Sequence, residues 1–301
     1  MFPLTAVAAL VPFFGFSQAV PYPPEVAVEA GPVDHVGYKV ASWNGSIPAS
    51  EARLPPHLLT RATGGVVTGG AAVTSINNQD GIGSGSDTYK LYKGDGSLEA
   101  GWPTKEQWVS FENMFNNNKQ ILSNSCVWNN WGANNSGDEI GAIYDAIQAV
   151  AQETKVDHRF ILAIIIQESK GCVRVPTTGN IDPNIWNPGL MQDHSGDAQC
   201  NDNKGNVKTP CPKDTITQMI REGTAGTTRG DGLAHVINQA TNTYKVTRSR
   251  AFYLAARYYN SGSIGPSGNL EDGCCTHCYA TDVANRLTGW VLADSKCTFD
   301  G

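Results

Sequence analysis

One carboxylic acid in this sequence stands where general acid chemistry is favoured. Glu168 follows residues 160–166, an uninterrupted run of seven apolar side chains. An apolar environment disfavours the ionised form of a carboxyl group and raises its pKa, which suits a group that must hold a proton near neutral pH and deliver it to a leaving oxygen. Glu168 could instead cap the end of a helix or pair with Lys170 or Arg174 at the surface. By themselves, its immediate neighbours favour this structural role.

The sequence predicts that a buried helix positions Glu168. Asp157 is a good N-cap residue, and the run that follows is apolar on every face, which indicates a helix packed on all sides by other elements. Gly171 is suited to end this helix. Just upstream, Ser136 and Glu139 have the spacing of a capping box and precede an apolar stripe at three- and four-residue intervals, so an amphipathic helix is expected there.

The remaining pattern predicts an α+β fold that is predominantly α-helical. Residues 89–93 alternate in polarity and precede a Gly-Asp-Gly turn, so they predict a small hairpin or an extended lead-in. Residues 20–86 are rich in proline and glycine without a helical period, which predicts a pro-segment or linker in which a short strand near Val66 stays open. The helical domain is therefore expected to span residues 87–301. Its further helices are expected at about residues 214–222, 232–240, 248–259 and 279–292.

Four motifs occur in order along this helical region. They are residues 156–169, which read VDHRFILAIIIQES, then Gly189-Leu190-Met191-Gln192, Tyr259-Asn260-Ser261-Gly262 and Tyr279-Ala280-Thr281-Asp282-Val283. In this order and spacing, over about residues 137–290, they resemble the motifs of goose-type lysozymes and soluble lytic transglycosylases. The resemblance covers roughly half of the chain, and the N-terminal third has no counterpart in it. It implies a lysozyme-like domain with a central buried helix.

The resemblance also implies roles for individual residues. The glutamate of the Glu-Ser motif, here Glu168, would protonate the β-1,4 glycosidic oxygen between amino sugars, and Tyr279 matches a tyrosine that reaches toward it. Gly189 would let the backbone approach a sugar closely, and the Gln192 amide offers a donor and an acceptor together. An ordinary buried turn and a core tyrosine are the structural alternatives for these segments. The full set implied at the substrate is Ser169, Gly189, Leu190, Met191, Gln192, Tyr259, Asn260 and Tyr279.

A second carboxylate would decide the outcome of the reaction. An inverting glycosidase needs a base about 6.5–9.5 Å from the acid to seat a water molecule. Goose-type lysozymes carry acidic residues just before and just after the Gly-Leu-Met-Gln motif, and this sequence offers Asp182 and Asp193, each displaced by about one position, with Asp197 further on. His194 stands where an aspartate is expected. Lytic transglycosylases act with the single glutamate and use the sugar's own 6-hydroxyl as nucleophile, so hydrolysis and anhydro-sugar formation both stay open.

Charge and composition restrict the partners. The 22 Lys and Arg against 28 Asp and Glu give a net charge of −6, which argues against binding to nucleic acid or to an anionic membrane. The substrate expected is a polysaccharide, peptidoglycan or chitin, and an acidic chain is only weakly attracted to the anionic peptidoglycan. Trp186 is expected at the substrate, whereas Trp128 and Trp131 could stack on sugar rings or lie in the core. Neither a cofactor nor a metal is expected, and we expect a monomer.

Two other classes of protein stay open at this point. A lysozyme-like protein that binds glycans without cleaving them agrees with the displaced aspartates and the acidic net charge. A disulfide-stabilised structural protein of the extracellular matrix requires the four motifs to be coincidental.

The N-terminus and the cysteines indicate the compartment. Residues 1–19 are mostly apolar and end in Ser17-Gln18-Ala19, which is typical of a signal peptide; the stretch is too short and too broken by proline for a membrane anchor. The chain has eight cysteines, which should form disulfides in an oxidising compartment. Zinc ligation by the cysteines and histidine of residues 274–278 is the alternative. A secreted, extracellular protein is therefore expected.

Overall fold

The computed structural model describes residues 65–179 and 184–299, and these form a predominantly helical domain with few strands. The mainly helical class expected from the sequence is confirmed. The strands β1 (Thr178–Gly179) and β2 (Trp186–Asn187) pair antiparallel. The helices in the described ranges are α1 (Phe111–Asn117), α2 (Lys119–Trp128), α3 (Gly137–Thr154), α4 (His158–Ser169), α5 (Lys213–Ala225), α6 (Leu233–Tyr244), α7 (Ser249–Ser261) and α8 (Tyr279–Thr288). The proposed signal segment, residues 1–19, lies outside the described residues.

Helix α4 lies in the core. Every side chain from residue 160 to residue 166 is fully buried, as the apolar run predicts, and the helix packs against α1, α3 and α8. Burial of large apolar side chains of this kind contributes about 1.5–3 kcal/mol each. Lys170 and Gly171 both take left-handed conformations, with φ of 53° and 71°, and so end the helix. Glu168 is thereby left in the last turn, where the core meets the surface.

A buried ion cluster fixes the start of α4. The Asp157 side chain is fully buried and accepts a hydrogen bond from the Arg159 backbone N–H at 3.0 Å, as an N-cap residue should. It also accepts bonds from the Arg159 guanidinium at 2.8 and 3.0 Å and forms an ion pair with Lys105 at 2.7 Å. Burial alone would raise the pKa of Asp157, but these hydrogen bonds and positive charges outweigh it and hold the pKa well below its usual range. The carboxylate is therefore charged and paired within the core.

Three disulfides join the described elements. Cys126–Cys172 links α2 to the segment after α4, and the other two bridges are Cys200–Cys211 and Cys278–Cys297. The expectation of disulfides is thus confirmed for six of the eight cysteines, and Cys274 and Cys275 are free and exposed. Because Cys278 is in a bridge, the cysteine-histidine cluster considered as a zinc site lacks one of its thiolates. No group of side chains suited to hold a metal occurs in the described parts of the chain.

The glycine-rich segment from residue 65 to residue 86 lies against the helices, although the sequence placed it in a linker. Val67 is buried, and its backbone N–H donates to the Thr154 carbonyl at 2.8 Å. Gly65 donates to the Ala225 carbonyl at 3.1 Å, and a Cβ atom at Gly65 would lie 2.5 Å from that oxygen. Glycine is required here because two backbones approach closely, not because the segment is a spacer. No strand forms near Val66.

The alternating segment at residues 89–93 is the expected extended lead-in and not a hairpin. Its backbone is bound by side chains of α8: the Lys90 N–H donates to Asn285 Oδ1 at 2.7 Å, and the Tyr92 N–H donates to Thr281 Oγ1 at 2.9 Å. These bonds replace the strand partner that a hairpin would supply. No helix in the described ranges is both long enough and apolar enough to cross a membrane.

Candidate active site at the end of helix α4

Glu168 is half-buried in the last turn of α4, and the hydroxyl of Tyr279 donates a hydrogen bond to its Oε1. Burial raises the pKa of Glu168 to about 7, while the Tyr279 hydrogen bond and the charge of Lys170 act in the opposite direction. A carboxyl group with this pKa holds its proton on about half of the molecules at neutral pH. Such a group can donate a proton and later take one back, as a general acid requires.

Tyr279 is held in place by α8, of which it is the first residue. Its side chain is buried, and its pKa is raised well above the usual range by burial and by the adjacent Glu168 charge. The phenol therefore stays protonated and acts as a donor. Because α8 packs against both α4 and α7, the Tyr279–Glu168 contact joins two segments that are far apart in the sequence.

A network behind Glu168 fixes the end of α4 to α8. Gln167 donates to Asp282 Oδ2 at 3.1 Å and accepts a bond from Arg286 Nε at 2.8 Å. Asp282 also accepts a hydrogen bond from the Tyr89 hydroxyl at 2.5 Å, so the extended segment at residues 89–93 takes part in the network. Burial and the Arg286 charge lower the pKa of Lys170 to about 7, against the charges of Asp282 and Glu168. The surroundings of Glu168 thus hold a second group that changes charge near neutral pH.

The Gly-Leu-Met-Gln turn lies close to this acid. Leu190 and Met191 are fully buried, and the Tyr259 hydroxyl donates to the Met191 carbonyl at 2.9 Å. Burial, followed by the charges of Asp193 and Glu168, raises the pKa of Tyr259 well above its usual range. Tyr259 therefore lies within electrostatic range of the acid while it holds the turn. The second and third motifs are thus brought to the same region as Glu168.

The turn itself is closed by its own glutamine. Gly189 has a φ of 71°, and a Cβ atom there would lie 2.8 Å from the Ala198 carbonyl, so glycine is needed at this position. Gln192 Nε2 donates to the Gly189 carbonyl at 3.0 Å, and its Oε1 accepts the Thr178 hydroxyl at 2.8 Å. The amide of Gln192 thus binds the turn to strand β1 in this structure.

Asp193 is buried beside a second carboxyl group. Its side chain is 3% exposed, and neither carboxyl oxygen has a hydrogen-bond partner among the described residues. Burial and the adjacent Glu222 charge raise the pKa of Asp193 well above its usual range. Glu222 is itself bound by the N–H groups of Asp197 and Ala198 at 3.1 and 2.9 Å. Burial without a hydrogen-bond partner thus disfavours the ionised form of Asp193, which is the form that a base must have to take a proton from water.

Glu222 was not identified from any sequence motif. It lies within helix α5, outside all four motifs, and only the fold brings it to Asp193. A helical pattern with carboxylates in it would ordinarily predict a solvated face. The buried face of α5 includes Glu222, and this could be found only from the packing of α5 against the loop after the Gly-Leu-Met-Gln turn.

Trp186 lines a groove beside strands β1 and β2. The groove encloses about 520 Å³, and Thr178 and Lys204 contribute to its wall. Trp186 is 36% exposed, and the Arg229 guanidinium stacks on its ring at 4.9 Å from the centroid. Glu168 is not among the described residues that line this groove. An exposed indole with polar neighbours is suited to bind a sugar ring.

Several of the expected residues serve the protein's own structure. Ser169 is fully buried, and its hydroxyl donates to the Ile165 carbonyl at 2.9 Å. Asn260 Oδ1 accepts the Thr276 N–H at 3.1 Å, so its amide carbonyl holds a loop. The structure therefore does not present Ser169 to a ligand and gives Asn260 a structural partner.

Three other residues considered in the sequence lie outside the described residues or do not line the groove of Trp186. Asp182 lies outside the described residues. Trp128 is exposed at the end of α2, Trp131 is half-buried, and neither lines the groove of Trp186.

No protein-family model, curated protein or solved structure shows a significant match to this chain. The candidate site is therefore defined by the chain's own residues: the acid Glu168, the donor Tyr279, and the turn that Tyr259 holds close by.

Proposed function

We propose that this protein is a secreted glycosidase that cleaves β-1,4 bonds between N-acetylated amino sugars, with Glu168 as general acid. The observation that carries the proposal is the half-buried Glu168 carboxyl, with its pKa raised to about 7 and its Oε1 bound by the Tyr279 hydroxyl. The resemblance of the four motifs to goose-type lysozymes and lytic transglycosylases, and with it a lysozyme-like domain, agrees with this role. Export is supported by the three disulfides, since such bridges persist in oxidising compartments.

The first step would be protonation of the glycosidic oxygen. As the bond between this oxygen and C1 breaks, the proton of Glu168 moves to the leaving oxygen and positive charge develops on the sugar ring. Glu168 becomes a carboxylate in this step. Because a hydrogen bond to a charged acceptor is stronger than one to a neutral acceptor, the Tyr279 hydroxyl stabilises the product of proton transfer more than the starting acid.

The state of Asp193 favours a reaction with a single carboxyl group. Asp193 is buried, and burial and the adjacent Glu222 charge disfavour its ionised form, so it is poorly suited to activate a water molecule. In the single-acid route the sugar's 6-hydroxyl attacks C1 and returns its proton to the Glu168 carboxylate, which leaves a 1,6-anhydro sugar and restores the acid. Hydrolysis would require a base other than Asp193, and the sequence offers Asp182 and, further along, Asp197.

The charge of the chain bears on the substrate. With a net charge of −6 and a pI of about 5.5, the protein is weakly attracted to the anionic peptidoglycan at best. Chitin is neutral and is built from the same N-acetylglucosamine unit. Both polymers therefore belong in the test, and we place chitin oligomers first.

Product analysis by mass spectrometry tests this proposal. Defined chitin and peptidoglycan oligomers are incubated with the purified protein in water labelled with heavy oxygen. The single-acid route predicts products lighter by one water and free of label, whereas hydrolysis predicts labelled reducing ends and would reject the single-acid step alone. Binding of the oligomers without turnover would contradict the proposed activity and favour a glycan-binding protein.

Replacing Asp193 with asparagine should leave turnover close to that of the wild type. Asparagine has the shape of the carboxyl group and carries no charge, so it fits a site in which burial and the Glu222 charge disfavour the ionised carboxyl. Loss of a working general base instead costs about 100- to 10,000-fold in rate. Initial rates at pH 6 to 7 distinguish the two cases, with Glu168→Gln as the inactive reference. A large loss in Asp193→Asn with normal folding would assign Asp193 a direct part in the reaction.

Replacing Tyr279 with phenylalanine should move the basic limb of the pH–rate profile to higher pH by about one unit. The hydroxyl stabilises ionised Glu168, so its removal raises the pKa of this carboxyl further; hydrogen bonds to charged groups contribute about 1.5–3 kcal/mol. The measurement is kcat/KM against pH. Tyr259→Phe is the matched control, because that hydroxyl binds the Met191 carbonyl and not Glu168, and its basic limb should stay in place. An unmoved limb in Tyr279→Phe would show that this contact does not tune the acid.

A further inference from the structure

We propose that Cys274 and Cys275 are an oxidation site, a pair of adjacent thiols that closes reversibly into a vicinal disulfide. Both residues are exposed, and their Sγ atoms lie 2.6 Å apart. The other six of the eight cysteines are already paired with one another, so these two have only each other within the chain. The inference depends on the fold and not on the glycosidase activity.

The backbone turns the two thiols to one side. Side chains of consecutive residues normally point apart along an extended chain. Here Cys275 has a φ of 72°, in the left-handed region that residues other than glycine, asparagine and aspartate seldom adopt, and Gly273 before the pair has a φ of 99°. This tight turn places the sulfur of Cys275 beside that of Cys274. The local conformation therefore prepares the pair for bond formation.

A buried arginine binds the backbone carbonyls of this turn. The Arg257 side chain, which belongs to α7, is 1% exposed. Its Nη2 donates to the carbonyls of Cys274 and Asp272 at 2.5 and 2.7 Å, and its Nη1 donates to the Thr276 carbonyl at 3.0 Å. The three carbonyls lie before, within and after the cysteine pair. The turn is therefore fixed to the helix even before the sulfurs are joined.

The charge of Arg257 also acts on the thiols. The guanidinium interacts electrostatically with both Cys274 and Cys275, and a nearby positive charge favours the thiolate, which is the reactive form. Burial and the adjacent Cys274 thiol raise the pKa of Cys275 to about 11, with Arg257 acting in the opposite direction. We take Cys274 as the first thiol to attack, and the same balance holds if Cys275 attacks first.

The oxidation balances with a low-molecular-weight disulfide such as oxidised glutathione. The Cys274 thiolate attacks one sulfur of glutathione disulfide, forms a mixed disulfide and releases one glutathione thiolate. Cys275 then loses its proton and attacks Cys274 Sγ, which releases the second glutathione. Two electrons pass from the protein thiols to glutathione disulfide, and the two thiol protons end on the two glutathione molecules.

Ring closure would act on the end of α7. The turn is bound to this helix by Arg257 and by Asn260, whose Oδ1 accepts the Thr276 N–H. The same helix carries Tyr259, which holds the Met191 carbonyl. Oxidation would therefore add a covalent constraint to a loop that is already bound to the last turn of α7, and reduction would remove this added constraint.

Thiol counting on the full chain tests the pair. The protein is treated with a mild reductant, then with oxidised glutathione or with buffer, and is alkylated and weighed intact. We expect two alkyl groups on the reduced protein and none on the oxidised one. The pair should open under reductant before Cys126–Cys172, because exposed disulfides are reduced more readily and both of those cysteines are fully buried. Two alkyl groups after oxidised glutathione would overturn the proposal.

The variant Cys275→Ser separates ring closure from simple thiol oxidation. It keeps the attacking Cys274 but lacks the second sulfur, so the expected product is a stable glutathione adduct. Phenylarsine oxide, which bridges two close thiols, should bind the reduced wild type and not this variant. A lasting glutathione adduct on the wild type, or equal binding of the arsenical to both proteins, would show that the two sulfurs do not act together.

Discussion

Replacing Glu168 with glutamine should abolish turnover and at the same time make the folded protein more stable above neutral pH. Glutamine keeps the size of the side chain and can still accept the Tyr279 hydrogen bond, but it has no proton to deliver. Loss of a general acid costs about 100- to 10,000-fold in rate. The rate of oligomer cleavage at neutral pH is therefore expected to fall by this factor, with the fold preserved.

The gain in stability follows from the raised pKa. The pKa of Glu168 is raised from 4.5 to about 7 in the folded state. The folded protein therefore binds this proton more tightly than the unfolded chain does. The stability that Glu168 contributes is thus fully present below pH 4.5, decreases as the pH rises through 7, and is lost above it. Glutamine does not ionise. The variant should therefore gain about 3 kcal/mol relative to the wild type between about pH 4 and about pH 9.

Urea unfolding of both proteins across this pH range measures the gain. Glu99→Gln is the matched control, because Glu99 is exposed and its replacement should not change the pH dependence. Activity lost without any gain in stability at high pH would contradict the account of Glu168 as a carboxyl group kept protonated by burial. A gain in stability with full activity would remove Glu168 from the reaction.

Replacing Asp157 with alanine should destabilise the protein by about 3–5 kcal/mol. The change removes the N-cap of α4 and leaves the charges of Arg159 and Lys105 without their buried partner. Removing one member of a buried ion pair is costly because the other charge stays in the core uncompensated. Since α4 carries Glu168, the variant should lose activity at a lower temperature than the wild type does.

Chemical unfolding followed by circular dichroism at neutral pH measures this loss. Asp138→Ala is the control, because Asp138 lies in the first turn of α3 and is exposed, so its removal should cost well under the loss at Asp157. The wild type should also lose stability as the pH falls below the usual range of a carboxyl group, since the pKa of Asp157 is depressed in the folded state. Equal and small losses in both variants would contradict the buried ion cluster.

Helices with strong local signals could be predicted from the sequence. The capping box at the start of α3 is present, with the Glu139 N–H bound to Ser136 Oγ at 3.2 Å and the Ser136 N–H bound to Glu139 Oε2 at 2.7 Å. The apolar run of α4 is buried as expected. Helix α8 ends at Thr288, short of the predicted residue 292, because Gly289 takes a φ of 118° there.

Elements that depend on tertiary packing could not be predicted. Helix α1 has the sequence FENMFNN, and asparagine is a poor helix former. Phe111, Met114 and Phe115 are nevertheless buried on one face, so packing against the core stabilises a helix that local propensity does not indicate. The glycine-rich segment after residue 64 is the opposite case, since its composition indicated a linker and close backbone contacts fix it to the domain.

The candidate site divides in the same way. The position of Glu168 follows from the apolar run before it, and its contact with Tyr279 was implied by the motif resemblance. The raised pKa of Asp193 depends on the burial of its carboxyl beside Glu222, which lies in α5 and far along the chain. A local sequence pattern cannot predict this contact, because the pKa of a buried carboxyl group depends on groups that the fold brings together.

Titration of the Glu168 carboxyl by nuclear magnetic resonance shows whether this group holds a proton near neutral pH. The protein is labelled with carbon-13 at the glutamate side-chain carboxyls, and the signal missing from the Glu168→Gln spectrum identifies this residue. If burial raises the pKa of Glu168 as described, the titration midpoint lies near 7 and rises further in Tyr279→Phe. A midpoint near the ordinary value of 4.5 would mean that Glu168 is ionised at neutral pH and has no proton to give.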